Sequence, residues 1–400
     1  LPAPRARASL VQSARCLSLD ESMDQDEIAY QPGQVLAGKY RVERVLGIGG
    51  FGAVLAALHL GLEERVAIKV LLPQAAKNQA AADRFLRAGT AAVRIRSEHV
   101  ARVSDVGQLE DQTPYMVMEY LQGADLSALV KERGPQAVPD VAEWVIQACE
   151  ALAEAHALGI VHRDLKPANL FLTHRVDGSP CVKVLDFGIS KMTTEGQDKG
   201  MTKTSDVMGS PFYMSPEQMR STRSADARSD IWALGTILFE LLAGAPPFDA
   251  ETMTALVVNI MQEAPRELAQ YRSDVPDALR QIILRCLQKD PSARFADVAA
   301  LAQALLPFAP RRAEHAAGRA AAALGRPLSA SGATTAGGGH ADLSGPTRVE
   351  ATSHPFEVGR TSQPTVAQGP LPGAAGANRP SGTEHGAPMA FGQYGSEFAR

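Results

Sequence analysis

Three short stretches hold residue types that could do chemistry together. In Leu46-Gly47-Ile48-Gly49-Gly50-Phe51-Gly52-Ala53-Val54, glycines stand at 47, 49 and 52 between two strand-like runs. Glycine there lets the backbone approach phosphate oxygens and take positive φ. A dinucleotide-binding turn would need a helix next. A second strand pattern follows instead, so the glycines belong to a hairpin. Further on, Val66-Ala67-Ile68-Lys69 puts a lysine into an apolar strand, which is costly unless the amine reaches water or a partner. The third stretch, His162-Arg163-Asp164-Leu165-Lys166-Pro167-Ala168-Asn169, is followed by Val184-Leu185-Asp186-Phe187-Gly188. These elements in this order are very improbable by chance.

The residues that must position them change character once along the chain. Residues 40–72 and 100–120 run in short alternating apolar segments, which predict strands. From about residue 139, long helical periods take over, as in the runs at 141–159 and 229–244. Strands first and helices after predict an α+β fold in two lobes.

Composition bounds the rest. The chain has 400 residues, 45% hydrophobic and 21% charged, so a core of useful size is available. Forty basic and 44 acidic residues give a net charge of −4, with no basic field to suggest nucleic acid or anionic lipid. Cys16, Cys149, Cys181 and Cys286 form no CxxC pair, which suits a reducing compartment. No apolar run approaches membrane-spanning length, and the arginine-bearing N-terminus lacks a signal-peptide core. A cytoplasmic location is expected. Residues 1–38 read as a flexible segment. From 309 to 400, 92 residues hold 15 of the 34 glycines and no lysine, which predicts a disordered tail. The compact domain is then expected over 39–308, with an N-lobe to about 120.

On these motifs the chain resembles the bacterial eukaryotic-like (Hanks-type) serine/threonine protein kinases, over roughly residues 40–306. Met214-Ser215-Pro216-Glu217 resembles the end of that family's activation segment. Ser229 to Gly235 resembles its central C-lobe helix, and Arg294 the arginine that pairs with the segment's glutamate. The resemblance implies a bilobal kinase fold and transfer of the ATP γ-phosphate to protein Ser/Thr hydroxyls, with Mg²⁺. It assigns Gly47, Gly49 and Gly52 to the phosphates and Lys69 to the α and β oxygens. Asp186 and Asn169 become metal positions, Asp164 orients the substrate hydroxyl, and Lys166 neutralises the γ-phosphate. Leu46, Val54, Ala67, Phe171 and Leu185 would sandwich adenine, although plain core packing explains them nearly as well. Met118 takes the gatekeeper-like position, the backbones of Glu119 and Leu121 read the base, and Asp125 is placed near ribose. Arg163 and the acceptors Thr202 and Thr204 imply an activation loop ordered by autophosphorylation, with a dimer as one route to it in trans.

One departure stands out. Active relatives carry a glutamate on the N-lobe helix that pairs with the strand lysine. Here Arg84-Phe85-Leu86-Arg87 leads to Ala88-Gly89, and the glutamate position is Ala88. Asp83 lies about 140° round the helix from it. Loss of one such electrostatic partner would slow transfer on the order of 100-fold. Two readings stay open: a slow or conditionally active kinase, and an ATP-binding pseudokinase that serves as a scaffold.

Overall fold

Alternation of buried and half-buried residues in the first third of the chain builds an antiparallel sheet. A computed structural model describes residues 30–49, 52–187, 211–221 and 225–326. Strands β1 (Val35–Leu36), β2 (Tyr40–Gly49), β3 (Gly52–His59), β4 (Glu64–Leu71), β5 (Val103–Gln108) and β6 (Pro114–Glu119) assemble in the order β1-β2-β3-β4-β6-β5. One side of the sheet buries Leu55, Ile68, Val70, Tyr115 and Val117. Phe85, Leu71, Val103 and Met116 gather in a second cluster, under helix α2 (Gln79–Ala92), which follows a short helix α1 (Pro73–Ala76).

Asn78 caps α2, its side chain accepting from the Ala81 N–H at 3.2 Å. Gly89 would weaken a free helix by roughly 1 kcal/mol relative to alanine. Its place here has a packing reason. A Cβ on Gly89 would meet Met116 Cε and Val106 Cγ2, each at 2.8 Å, so the missing side chain lets α2 lie close on β5 and β6.

The helical lobe is built around two helices buried on nearly every side. These are α4 (Val138–Ala157) and α6 (Ala227–Ala243), as expected for helices apolar all round. Strands β7 (Ala124–Asp125), β8 (Leu170–His174) and β9 (Pro180–Val184) form a small sheet beneath the first lobe, with α3 (Leu126–Arg133) after β7. Then come α5 (Pro216–Arg220), α7 (Met253–Gln262), α8 (Asp277–Cys286) and α9 (Val298–Leu305). Among the described residues, no helix is long and apolar enough to cross a membrane.

Order extends past both boundaries that composition suggested. Tyr30 is buried and β1 pairs with β2, so structure begins before residue 39. After residue 309 comes a further helix, α10 (Ala313–Ala323), burying Ala313, Ala316, Ala317, Ala320 and Ala321 among the residues of the C-lobe core. The expected tail boundary at 309 is therefore too early. Alanine carries little hydropathy, yet it is the best helix former, and its recurrence at helical spacing makes a smooth face for close packing.

Candidate active site

The glycine hairpin is the turn between β2 and β3, with Gly49 opposite Gly52 and no helix after it. Its three glycines differ. A Cβ on Gly52 would press on the Val70 carbonyl oxygen at 2.5 Å, so Gly52 is required by the approach of β3 to β4. At Gly47 a Cβ would meet nothing within 4 Å, and at Gly49 only the Gly52 oxygen at 3.9 Å. Those two leave room that the fold itself does not use.

Lys69 stands on β4 opposite Val54, its side chain 15% exposed. Ala88 on α2 is buried, and Asp83 is exposed and accepts from Gln79, so α2 brings no carboxylate to the amine. The amine instead donates to Asp186 Oδ1 at 2.6 Å, across 117 residues of sequence. Burial opposes ionisation of Asp186. The Lys69 charge and hydrogen bond, with His162 and Lys166 nearby, overcome it and hold the carboxyl below its usual range.

The loop before β8 brings the third motif together. Lys166 Nζ lies 3.3 Å from Asp164 Oδ2. The Asn169 carboxamide nitrogen donates to the Asp164 carbonyl at 2.7 Å and lies 3.4 Å from Oδ2, which leaves its oxygen free of those contacts. The Asn169 carbonyl accepts from Leu185 N–H at 2.9 Å, tying this loop to the residue before Asp186. His162 is fully buried and serves the frame. Its Nε2 bonds the Leu185 carbonyl at 2.7 Å, and its ring meets Phe187 edge-on at 5.0 Å.

Two backbones here are strained: Arg163 has φ 68° and Asp186 φ 62°. Each such conformation costs on the order of 1–3 kcal/mol and needs outside support. Asp230 on α6 supplies it for the loop, a role that the sequence reading missed. Its Oδ1 accepts from Arg163 N–H at 2.9 Å, and Oδ2 from His162 N–H at 3.0 Å and bonds His156 Nε2 at 2.7 Å. Burial pushes this carboxyl up, but these partners outweigh it and hold it below its ordinary value. The signal was present, because an aspartate within an apolar helix must find partners. Gln218 on α5 adds a bond from its amide nitrogen to the Arg163 carbonyl at 2.9 Å.

Glu217 and Arg294 meet as expected. The guanidinium donates twice, at 2.7 and 2.8 Å, with Ser229 Oγ donating to the same carboxylate at 2.8 Å. Burial opposes the Glu217 charge, while Arg294 lowers its pKa below the usual range.

The residues assigned to adenine are divided between the large sheet and the small one. Leu46, Val54 and Ala67 lie on β2, β3 and β4, with Ala67 opposite Met118 of β6. Phe171 stands on β8 and Leu185 just past β9. Val54 is half-buried between the fully buried Ala53 and Leu55, and Leu46, Met118, Phe171 and Leu185 are half-buried too, as cleft walls would be. The Glu119 side chain is turned to other work, accepting from Arg102 N–H at 2.8 Å and pairing with Lys183 at 2.7 Å. Among the described residues, the Leu121 N–H has no hydrogen-bond partner. Asp125 caps α3 by accepting from Ala128 N–H at 2.9 Å, and pairs across strands with Phe171. Thr202 and Thr204 lie outside the described residues.

The protein kinase domain family matches residues 40–306. Serine/threonine-protein kinase pkn3 of Myxococcus xanthus is 38% identical over 265 residues, covering 66% of this chain and 48% of that protein. Serine/threonine-protein kinase Pkn1 of the same organism is 40% identical over 271 residues, 68% of this chain and 38% of that protein. The chain thus spans less than half the length of these relatives. Among solved structures, the kinase domain of Mycobacterium tuberculosis PknI is similar with a TM-score of 0.54 at 29% identity, over 70% of this chain and all of that domain. The family match spans two thirds of the chain, including every motif that meets around Lys69 and Asp186, and the chain belongs to the protein kinase domain family, in its bacterial eukaryotic-like branch.

Proposed function

We propose that the chain is a serine/threonine protein kinase that transfers the γ-phosphate of ATP to protein hydroxyls. The observation that carries this reading is the gathering of Lys69, Asp186, Asn169, Asp164 and Lys166, with the Asn169 carbonyl bonded to Leu185 beside Asp186 and the Lys166 charge acting on the Asp186 carboxyl. Gly47 and Gly49 leave space that no side chain fills, and among the described residues the Leu121 N–H has no hydrogen-bond partner.

Asp186 and the free carboxamide oxygen of Asn169 are hard oxygen donors of the kind that suits Mg²⁺. Bound there, the ion would neutralise charge on the phosphates. Lys69 leaves Asp186 for the α and β oxygens as nucleotide enters. Asp164 takes the hydrogen bond of the acceptor hydroxyl and aims it. Lys166, already within reach of Asp164, offsets charge that develops on the γ-phosphate. Thr202 and Thr204 are the autophosphorylation sites, modified by a second copy of the chain, and the acceptors are proteins rather than nucleic acid.

A second reading, an ATP-binding pseudokinase acting as a scaffold, is favoured by Ala88 and by the closed Lys69–Asp186 pair. Radiolabelled ATP with a generic Ser/Thr substrate separates the two. The wild type is expected to label the substrate and its own residues 202–204, and Asp164→Asn to lose at least 100-fold. ATP binding without labelling in either protein leaves the scaffold, and no ATP binding removes both.

A further inference from the structure

Helix α10 lies beyond residue 306, where the family match ends. Two arginines clasp it to α4. Arg312 donates twice to Glu143, both bonds 2.6 Å. Arg319 donates to Glu150 Oε2 at 2.7 Å and to Glu98 Oε1 at 2.8 Å. Glu143 and Glu150 are buried carboxylates, which must have partners. The two clasps differ in what else they hold. Arg312 and Glu143 join α10 to α4 and reach nothing in the connection that follows α2; Glu143 meets β9 only through Gln147 Nε2, a long 3.4 Å contact, with Gln147 bonded to Pro180 and Val182. Arg319 reaches Glu98, in the segment between α2 and β5.

That segment is bonded in two directions. Toward α4, Arg96 N–H donates to Glu154 at 2.7 Å and Ser97 Oγ to Glu150 Oε1 at 3.0 Å. Toward the small sheet, Val184 N–H donates to the His99 carbonyl at 2.8 Å and Ala101 N–H to the Val184 carbonyl at 3.1 Å. Arg175 adds a bond to Glu98 at 3.0 Å. Val184 ends β9, and Asp186 is two residues further on. A continuous set of bonds therefore runs from Arg319 through Glu98 and Glu150 to residues 97–101, then to β9 and to the carboxylate that holds Lys69.

We propose that Arg319 is a positioning residue for the nucleotide site: it fixes the 97–101 segment, and through it the C-terminal end of α2 and the place of Asp186. In a kinase whose α2 carries Ala88, Lys69 takes its register from Asp186 alone among the described residues, so support for Asp186 weighs more. The inference rests on the kinase reading only in assigning Lys69 and Asp186 to nucleotide.

The test is binding of a fluorescent ATP analogue with Mg²⁺ to the full chain, which needs no turnover. Arg319→Ala is expected to weaken binding roughly 3- to 30-fold, the usual range for couplings through such networks. Arg319→Lys is expected to recover part of the loss. Arg312→Ala, which loosens the same helix at its other clasp, is expected to lower thermal stability at least as much and leave affinity within 2-fold. Equal affinity for wild type and Arg319→Ala would overturn the proposal. So would equal weakening by both alanine variants, which would make α10 a structural brace only. Failure of the wild type to bind the analogue would instead sink the kinase reading, and the proposal with it.

Discussion

The change Asp230→Asn keeps the shape of the side chain that holds the loop of His162 to Asn169 and removes its charge. The carboxylate now takes three bonds, from Arg163 N–H, His162 N–H and His156 Nε2. A carboxamide has one oxygen and one NH₂ group. Turned either way, it sets its NH₂ against one of the two backbone N–H groups, leaving a buried donor without a partner at about 1–3 kcal/mol. The bonds that survive lose their charge assistance, about 1 kcal/mol each. His156 gives no relief, because among the described residues its buried Nδ1 has no partner and would become an orphan donor if the ring changed tautomer. The sum is about 3–5 kcal/mol, or roughly 10 °C in Tm for a domain of this size. Function should suffer more than stability. Arg163 at φ 68° is held by one of these bonds, and its relaxation would displace Asp164 beside it. A misplacement of about 1 Å can cost on the order of 100-fold in rate. The assays are thermal unfolding and phosphotransfer to a peptide. An Asn variant with wild-type Tm and a rate within 2-fold would refute the claim that Asp230 holds the loop.

Two further changes probe separate parts of the frame. Arg294→Met leaves Glu217 buried without its guanidinium and should cost about 3–5 kcal/mol in urea unfolding at pH 7. Because Glu217 is held below its ordinary value of 4.5, the wild type keeps this contribution above about that pH and loses it as pH falls through the lowered value, whereas the variant should show a shallower loss there. Ala88→Glu restores a carboxylate to the side of α2 that is buried and should raise phosphotransfer, up to about 100-fold. An unchanged rate with normal Tm would mean that Asp186 alone orients Lys69 well enough.

What could be read from sequence divides by distance along the chain. Asp164, Lys166 and Asn169 fall within six residues, so one motif carries their mutual geometry, and the structure brings them into contact. Periodicity likewise marks β2, β3 and β4 and the long helices, because alternation and 3.6-residue repeats are local. Pairing across long separations is not local. Glu143 and Glu150 are 169 residues from Arg312 and Arg319, and nothing near them in sequence announces a partner. The alanine face of α10 looked like the low-complexity stretch after it, because composition does not distinguish a helix surface made of methyl groups from a tail. Asp230 was seen as part of a helix signature, while its use, to hold a strained loop 67 residues earlier, appears only in three dimensions.

The missing glutamate changes how charge is balanced when the cleft is empty. A lysine only 15% exposed needs an anion, and among the described residues Asp186 is the one ion-paired with it. The same carboxylate is the one that a metal-bound nucleotide would engage. A glutamate on α2 would give the lysine a partner of its own. Here each is the other's partner, and one exchange must release both. If Mg²⁺ and nucleotide are bound there as proposed, Asp186 would hold the metal and Lys69 the phosphates, so neither charge would be left buried alone. On the proposed reading, the barrier to nucleotide binding would lie where the 2.6 Å pair has opened and the phosphates have not closed. Nucleotide without metal would free Lys69 but leave Asp186 facing phosphate oxygens of like charge, which favours the closed pair. Binding in this chain should therefore depend on Mg²⁺ more steeply than in a kinase that keeps the α2 glutamate, and restoring Ala88→Glu should reduce that dependence along with the barrier.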